Sequence, residues 1–322
     1  MQIHIGYLTI NNPVLVAPMA GISDFPFRQI LRKMGSELLF TEMVSSKGLI
    51  YNNERTQDLL TFSNKGLIAV QLFGEDVETM VRAAKILQEE YSPDLIDINM
   101  GCPAPKIVKN GSGAALMKNT KLAGEIISAV VNTVEIPVTV KMRKGWKDDN
   151  INAVELAKIA EENGAVAVTI HGRTRSQFYS GDADWQVIKD VKDNTNITVI
   201  GNGDVFSPED AKKMMKETGC DGVMLARGIR GNPWLVKRVN YYLEKNILLP
   251  EADAEDKIIM AIDHLKTSID YYGEEIAIPR MRKHISWYLK GMSGSTHIKD
   301  KLNRFKEKDE IIKMLMDYLK QF

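Results

Sequence analysis

Short runs of apolar residues recur along the first two thirds of the chain, at intervals typical of strands separated by helices. Each run is nearly continuous rather than alternating, as expected for parallel strands that are covered on both faces. We predict a strand at each of eight runs, which span residues 14–17, 38–41, 68–72, 95–98, 138–141, 167–170, 197–200 and 222–225.

Amphipathic segments with helical periodicity fill several intervals between these runs. Many begin with an acidic residue or Ser-Pro and end with Gly or Asn, which are typical start and stop signals of helices. The clearest segments span residues 76–91, 121–134, 151–163 and 208–218. Eight strand-then-helix units predict an α/β fold, a (β/α)8 TIM barrel, and the alternative is an open doubly wound sheet.

The pattern changes after Pro250, where no further strand run occurs. The remaining chain predicts helices over residues 254–272, 279–290 and 298–319. We therefore expect a barrel domain over residues 1–245 and a small all-helical C-terminal domain over residues 251–322.

Composition limits the setting in which the protein works. The 322 residues are 44% hydrophobic and 26% charged, which is typical of soluble globular enzymes. Two cysteines cannot form a disulfide framework, so we expect a cytoplasmic protein. No metal-ligand spacing, no secretion leader and no run of about 18 apolar residues occurs, so we expect no metal and no membrane association.

The counts of charged residues limit the partners that the protein can bind. The 42 basic residues balance the 42 acidic ones, so a nucleic-acid partner would require a local basic patch. No obligate protein partner is evident from the sequence.

Polar residues follow the predicted strands, at the ends where barrels of this type build their active sites. The glycines after the seventh and eighth runs let backbone amides approach a phosphate closely, and His171 and Arg227 would add donors to the same anion. Gln71, Asn99 and Lys141 would offer donors to a flat, acceptor-rich ring such as a flavin. Lys141 would stabilise the negative charge of the reduced ring.

One of the two cysteines, Cys102, follows the fourth run in the segment Asn-Met-Gly-Cys-Pro. A lone cysteine is most often a small core residue. This one, however, is presented on a loop between a glycine and a proline, beside the donors just described. A thiol with a pKa near about 8.5 is mostly protonated at neutral pH and can act as a general acid. Cys220 precedes the eighth strand, at the opposite barrel face, where we expect it to serve packing.

Several segments occur together in an order that resembles one known family. They are Ala-Pro-Met-Ala-Gly at 17–21, Asp-Ile-Asn-Met-Gly-Cys-Pro at 97–103, His-Gly-Arg-Thr-Arg at 171–175, Gly-Asn-Gly-Asp at 201–204 and the basic segment 281–291. In these motifs the chain resembles the bacterial tRNA-dihydrouridine synthases, most closely their B-type branch.

The resemblance implies an FMN-dependent enzyme that reduces specific D-loop uridines of tRNA to 5,6-dihydrouridine with NADPH. Cys102 would be the catalytic proton donor. The FMN-binding residues would be Pro18, Met19, Ala20, Gln71, Lys141, His171, Asn202, Gly203, Asp204, Ala226 and Arg227. The substrate-binding residues would be Asn99, Arg143, Arg173, Arg175, Arg280, Arg282 and Lys283, with His284 and Lys290 as further phosphate contacts.

Two other functions remain open at this point. One is another FMN barrel that acts on a free pyrimidine, as in dihydroorotate dehydrogenases, although the basic helical segment argues against it. The other is a non-catalytic RNA-binding module. The basic positions of the helical segment also fit an ordinary solvated helix face, because charge runs usually have no other role.

Overall fold

The fold was described from a computed structural model, which covers residues 1–62 and 66–322. Every predicted apolar run forms a strand, and all of them join one parallel sheet. The strands are β1 (Val14–Val16), β2 (Leu38–Phe40), β3 (Leu67–Phe73), β4 (Leu95–Met100), β5 (Val138–Arg143), β6 (Ala167–His171), β7 (Thr198–Asn202) and β8 (Gly222–Leu225).

The sheet order is β1-β8-β7-β6-β5-β4-β3-β2, so the two ends of the sheet are neighbours in the chain. β1 and β2 lie against each other, which makes the barrel nearly closed. The predicted (β/α)8 barrel is confirmed, and the open doubly wound alternative is wrong.

Helices surround the strands, one principal helix after each. They are α1 (Phe25–Lys33), α2 (Ser46–Ile50), α3 (Val77–Ile86), α4 (Thr120–Val131), α5 (Ala153–Glu162), α6 (Gln186–Asn194), α7 (Pro208–Thr218) and α8 (Trp234–Lys245). Shorter elements lie between them, namely Glu54–Asp58, Leu87–Tyr91, Pro105–Val108, Gly113–Lys118 and Arg227–Ile229. The start signals act as expected in α7, where Ser207 and Asp210 form a reciprocal capping box.

Two short hairpins were not predicted from the sequence. One pairs Ile3–Ile5 with Leu8–Ile10, and its apolar side chains join those of the barrel interior in one core. It closes the barrel at the end opposite the loops that follow the strands, where Thr198 at the start of β7 donates to the carbonyl of His4. The other pairs Gly145–Lys147 with Asn150–Ile151, just after β5.

The C-terminal region contains four helices rather than the three predicted. They are α9 (Ala254–Tyr272), α10 (Glu274–Tyr288), α11 (Ser295–Leu302) and α12 (Lys308–Leu319). The segment predicted as one helix over 298–319 is interrupted between α11 and α12. α10 begins five residues before the predicted start at Pro279, so this proline lies inside the helix. The helices bury a separate core of their own, built around Leu265, Ile285 and Leu315.

The helical region packs on the barrel through α1. The ring of Phe27 in α1 lies 5.4 Å from His264 of α9 and 5.7 Å from His284 of α10, measured between ring centroids. Tyr272 at the end of α9 donates to Asp24, the N-cap residue of α1. Among the described helices, none is both long and apolar enough to cross a membrane.

Candidate active site

A cavity of about 510 Å³ opens at the C-terminal ends of the barrel strands. This volume lies in the range of cofactor and small-molecule sites. The cavity brings together fourteen residues predicted as site residues. They are Pro18, Met19, Ala20, Gln71, Asn99, Cys102, Lys141, Arg143, His171, Asn202, Gly203, Asp204, Ala226 and Arg227.

The parallel register explains why these side chains meet. Gln71 is the partner of Asp97 across β3 and β4, and Asn99 is the partner of Lys141 across β4 and β5. His171 of β6 is likewise the partner of Asn202 of β7. Because alternate residues of a strand share a face, residues two apart extend together toward the same side of the barrel.

Side chains of β3 and β4 form a hydrogen-bonded chain that ends at the cysteine loop. Gln71 donates from Nε2 to Asp97 at 2.6 Å, and Asn99 donates from Nδ2 to Gln71 Oε1 at 2.7 Å. The backbone amides of Gly101 and Cys102 both donate to Asn99 Oδ1, at 3.2 and 2.9 Å. These contacts fix the loop that carries the thiol.

The Cys102 thiol is half-buried and lines the cavity. Burial raises its pKa, and this effect exceeds the opposing influence of a backbone hydrogen bond and of the nearby Arg143 and Lys141. The thiol therefore carries its proton at neutral pH. Cys220 is only 4% exposed and precedes β8, at the other end of the barrel from the cavity.

Lys141 extends from β5 toward β7, where its ammonium donates to Asn202 Oδ1 at 3.1 Å. Asn202 in turn donates from Nδ2 to the carbonyl of Met224 at 2.7 Å, which orients its oxygen toward Lys141. Burial lowers the pKa of Lys141 to about 8, although the charge of Asp97 opposes the shift. Lys141 is thus cationic at neutral pH, and it loses that charge in mildly alkaline solution.

His171 is a neutral donor at the edge of the cavity. Burial lowers its pKa well below the usual 6.5, and the nearby cations, beginning with Lys141, add to the shift. Its Nδ1 accepts the backbone N–H of Arg173 at 3.1 Å. Because one ring nitrogen of a neutral imidazole carries the proton, the remaining nitrogen, Nε2, is the donor.

Arg173 and Asp204 have roles different from those expected. Arg173 is 2% exposed, and its guanidinium binds both carboxylate oxygens of Asp204, at 2.9 and 2.6 Å, and the carbonyls of Ser180 and Gly181. The expectation of an RNA contact at Arg173 does not fit this burial. Asp204 also accepts from Arg227 at 2.8 Å. With its oxygens bound to two arginines, this carboxylate orients Arg227 rather than binding an anion itself.

Arg143 is also buried, at the cavity wall. Its Nε donates to the carbonyl of Gly101 at 2.9 Å, and Nη1 donates to the carbonyls of Thr174 and Phe178 at 2.7 and 2.8 Å. It therefore ties the cysteine loop to the loop that follows β6. Burial lowers the pKa of Arg143 to about 10, so it stays cationic at neutral pH.

Sequence reasoning missed an aromatic rim, formed by Phe178, Tyr179 and Phe206 at the cavity mouth. These side chains line the cavity and are 36%, 52% and 50% exposed, respectively. The Arg227 guanidinium lies 4.9 Å from the centroid of the Tyr179 ring and 5.6 Å from that of Phe206. Phe178 and Tyr179 lie in the loop after β6, close to Arg175 in the sequence, and Phe206 lies in the loop after β7. Aromatic residues in these strand-end loops are the sequence signal that could have found the rim.

The predicted contacts outside the cavity differ in exposure. Arg175 packs over the Trp146 ring at 4.8 Å, next to the rim. Arg280 is exposed and lies 4.2 Å from the centroid of the Tyr272 ring. Arg282 is half-buried and donates to the carbonyl of Phe305 at 3.2 Å. Lys283 is exposed, and its ammonium binds the carbonyl of Gly21, which follows β1.

Two further candidates close the basic segment. Lys290 is exposed, as a phosphate contact requires. His284 is 3% exposed and packs against Phe27 and His264 in the junction between the barrel and the helices. Burial lowers its pKa to about 3. The expected phosphate contact at His284 is therefore wrong, because the ring is neutral and buried.

Comparisons with known proteins agree on one family. Residues 15–322 match the family described as dihydrouridine synthase (Dus). A probable tRNA-dihydrouridine synthase of Rickettsia bellii is 39% identical over 317 residues, which cover 97% of each chain. The tRNA-dihydrouridine synthase B of Shewanella oneidensis is 42% identical over 287 residues, which cover 88% of each chain.

A solved structure with a similar fold is histamine dehydrogenase from Rhizobium sp. 4-9, with a TM-score of 0.59 and 14% identity. The match covers 83% of this chain and 50% of that one, and it supports the barrel fold alone. The family match over most of the chain is the decisive observation. The chain therefore belongs to the dihydrouridine synthase family and is an FMN-dependent oxidoreductase.

Proposed function

We propose that this enzyme reduces the C5–C6 double bond of specific D-loop uridines in tRNA to 5,6-dihydrouridine, using FMN and NADPH, with Cys102 as the proton donor. The observation that carries the proposal is the position of a half-buried, protonated thiol in the same cavity as a set of ring and phosphate donors. The names of the Rickettsia and Shewanella relatives support tRNA as the substrate.

The residues present fit FMN. Pro18, Met19 and Ala20 line the cavity and would contact the flavin ring, while Gln71 and Lys141 offer an amide and an ammonium to its polar edge. Such a cation favours the reduced, negatively charged flavin. The cavity volume and this donor set suit a flat ring with several acceptor atoms.

The phosphate of FMN would lie at the ends of β7 and β8, the usual phosphate site of these barrels. Asn202 is the last residue of β7 and Gly203 follows it, Ala226 and Arg227 follow β8, and the neutral His171 adds an N–H. Gly203 has a φ of +121°, and a Cβ there would lie 2.7 Å from that of Ala183, so only glycine fits this turn. Asp204 would act through Arg227, whose guanidinium it orients.

When bound and reduced by NADPH, FMN would supply the hydride for C6 of the uracil. Cys102 then donates its proton to C5, where negative charge develops. Asn99 uses both acceptor positions of its Oδ1 on the loop amides and one N–H on Gln71. The group that it can offer to the uracil or flavin is its other N–H, which faces the weak acceptor Met43 Sδ at 3.1 Å. A carbonyl oxygen is the group that this N–H would bind.

The rim and the helical region would hold the RNA. A base inside folded tRNA must leave its stack to reach the cavity, and aromatic side chains at the mouth can stack on exposed bases. Phe178, Tyr179 and Phe206 are placed for this. We assign catalysis to residues 1–245 and tRNA binding to residues 251–322, where Arg280 and Lys290 are exposed for phosphate contacts. A tRNA substrate also suits the cytoplasmic location expected from the cysteine content.

The direct test is Cys102→Ala, with Cys220→Ala as the matched control. Dihydrouridine formation is measured on unmodified tRNA with NADPH, at equal FMN content of the proteins. Loss of a general acid lowers the rate by about 100-fold or more. Cys220→Ala should react like the wild type, because its thiol is buried away from the cavity.

An equal rate in Cys102→Ala would reject the thiol as the proton donor. Activity on orotate or free uracil, with none on tRNA, would instead identify an enzyme of free pyrimidines. A flavin absorption spectrum of the purified protein would exclude a purely RNA-binding role.

A further inference from the structure

Asp97 is a buried carboxylate that the proposed chemistry does not use. It lies within β4, is 1% exposed, and faces Gln71 and Thr139 across the neighbouring strands. Gln71 Nε2 donates to one of its oxygens and Thr139 Oγ1 to the other, both at 2.6 Å. A buried carboxylate is costly unless its oxygens accept hydrogen bonds, and here both do.

The hydrogen bonds between Asp97 and the cysteine loop have one direction only, because the groups at both ends of the chain constrain it. The amides of Gly101 and Cys102 are backbone groups and can only donate, so Asn99 must turn its oxygen toward them. Asn99 then directs Nδ2 toward Gln71, and Gln71 must accept this hydrogen bond with Oε1.

The same constraint continues to the buried end. Once Gln71 turns Oε1 to Asn99, its Nε2 must face residue 97, which has to be an acceptor. A carboxylate meets this need, since one of its oxygens accepts from Gln71 and the other from Thr139. Burial raises the pKa of Asp97, and these two hydrogen bonds and the charge of Lys141 oppose the shift and favour the accepting, ionised form. Asp97 therefore excludes the flipped arrangement of both amides.

We propose that Asp97 is a positioning residue that sets the hydrogen-bond polarity of Gln71 and Asn99 and, through them, the loop of Cys102. The inference rests on the proposed function, in which Gln71 faces FMN and Asn99 faces the uracil or the flavin. As a consequence, the side-chain amides of Gln71 and Asn99 each have a fixed orientation, with defined donor and acceptor atoms directed toward the ligand. The thiol is held by the same chain of bonds.

A polarity-reversing pair of substitutions tests this directly. In Asn99→Asp, a carboxylate oxygen replaces the Nδ2 that donates to Gln71 Oε1. Two acceptor oxygens, one of residue 99 and Oε1 of Gln71, then face each other. Adding Asp97→Asn lets Gln71 turn over, because residue 97 can then donate to Oε1 while Nε2 donates to residue 99. The double variant keeps the net charge and every hydrogen bond of the chain, with the direction reversed between residues 97 and 99.

Two measurements on the full-length protein, at equal flavin content, report the result. They are the midpoint of thermal unfolding and the rate of Cys102 alkylation by iodoacetamide, read by peptide mass. We expect Asn99→Asp to lower the midpoint by about 5 °C or more, as buried unpaired acceptors do in a chain of this size. Its alkylation should be about 5-fold faster, because the loop is released.

Asp97→Asn alone should have a small effect, because its oxygen can still accept from Gln71 while the Thr139 hydroxyl reverses. The double variant should return the midpoint to within about 2 °C of the wild type. Thr139→Val in the Asn99→Asp background is the matched control. It should restore neither the midpoint of thermal unfolding nor the slow alkylation of Cys102. Removing this bond to Asp97 does not reverse the amides.

Additive losses from Asp97→Asn and Asn99→Asp would overturn the proposal, and so would equal rescue by Thr139→Val. Neither readout uses tRNA or turnover, so a failure of the proposed function would leave this result unaffected. Dihydrouridine formation should stay low in the double variant even when the midpoint recovers. Residue 99 then lacks the N–H that it offers to the ligand.

Discussion

Two groups of cations surround the proposed substrate path, and they differ in what their charges already bind. The strand-end group, Arg143 and Arg173, is buried and donates to backbone carbonyls and to Asp204. The helix group, Arg280 and Lys290, is exposed. The sequence predicted a phosphate contact for members of both groups, since residue type alone does not distinguish them.

The difference follows from the energetics of burial. A buried guanidinium is stable only when its donors are paired, so the strand-end group holds loops around the cavity. Arg143 fixes the cysteine loop, and Arg173 holds Asp204, which orients Arg227. An exposed cation keeps donors free for a phosphate and contributes little to the stability of the fold. One group therefore shapes the site, and the other is available to the RNA.

The largest expected effect of this difference is on stability. Arg173→Met should lower the free energy of unfolding by about 3 kcal/mol, because two loop carbonyls lose their donor and Asp204 loses one of its two arginine partners. Urea denaturation measures the change. Arg280→Met, the matched exposed variant, should cost less than about 1 kcal/mol. Equal losses in the two variants would remove the distinction between the groups.

The next effect is on tRNA binding. Arg280→Ala combined with Lys290→Ala should weaken tRNA affinity by about 30-fold at low salt, since two charged phosphate contacts are lost. The slope of log affinity against log salt should fall by about 1.4 to 1.8. Filter binding over a salt series measures both quantities.

The control for that experiment is Lys121→Ala with Lys158→Ala, which removes two exposed charges from α4 and α5 of the barrel. These positions lie outside the cavity mouth and the helical region, so affinity and slope should stay near the wild type. A loss as large as that of the Arg280 and Lys290 pair would show that the effect depends only on net charge.

The sequence predicted the strands well because parallel barrel strands are continuously apolar, and the residues that end them form the cavity wall. It missed the hairpin at Ile3–Ile5 because a pairing of three-residue strands leaves too short a pattern to recognise. It could not foresee that Arg173 is buried. That depends on Asp204, which follows a different strand 31 residues later, and on carbonyls of a folded loop. Local patterns carry no information about such partners.

The smallest expected effect is a pH dependence of FMN affinity, caused by the buried cation Lys141. Because burial lowers the pKa of Lys141 to about 8, its ammonium is mostly charged at pH 7 and mostly neutral at pH 9. The charged form attracts the flavin, so FMN affinity should be full below the pKa and should fall as pH rises through it. We expect a loss of about 5-fold between pH 7 and pH 9.

Flavin fluorescence quenching at each pH measures this affinity, and Lys141→Met is the matched variant. It should bind FMN more weakly at pH 7 and show little further change up to pH 9. His171 should add no dependence near pH 6.5, because its pKa lies well below that value. The same alkaline loss in Lys141→Met would assign the titration to another group. In that case the charge of Lys141, like that of the exposed cations, would stay constant between pH 7 and pH 9.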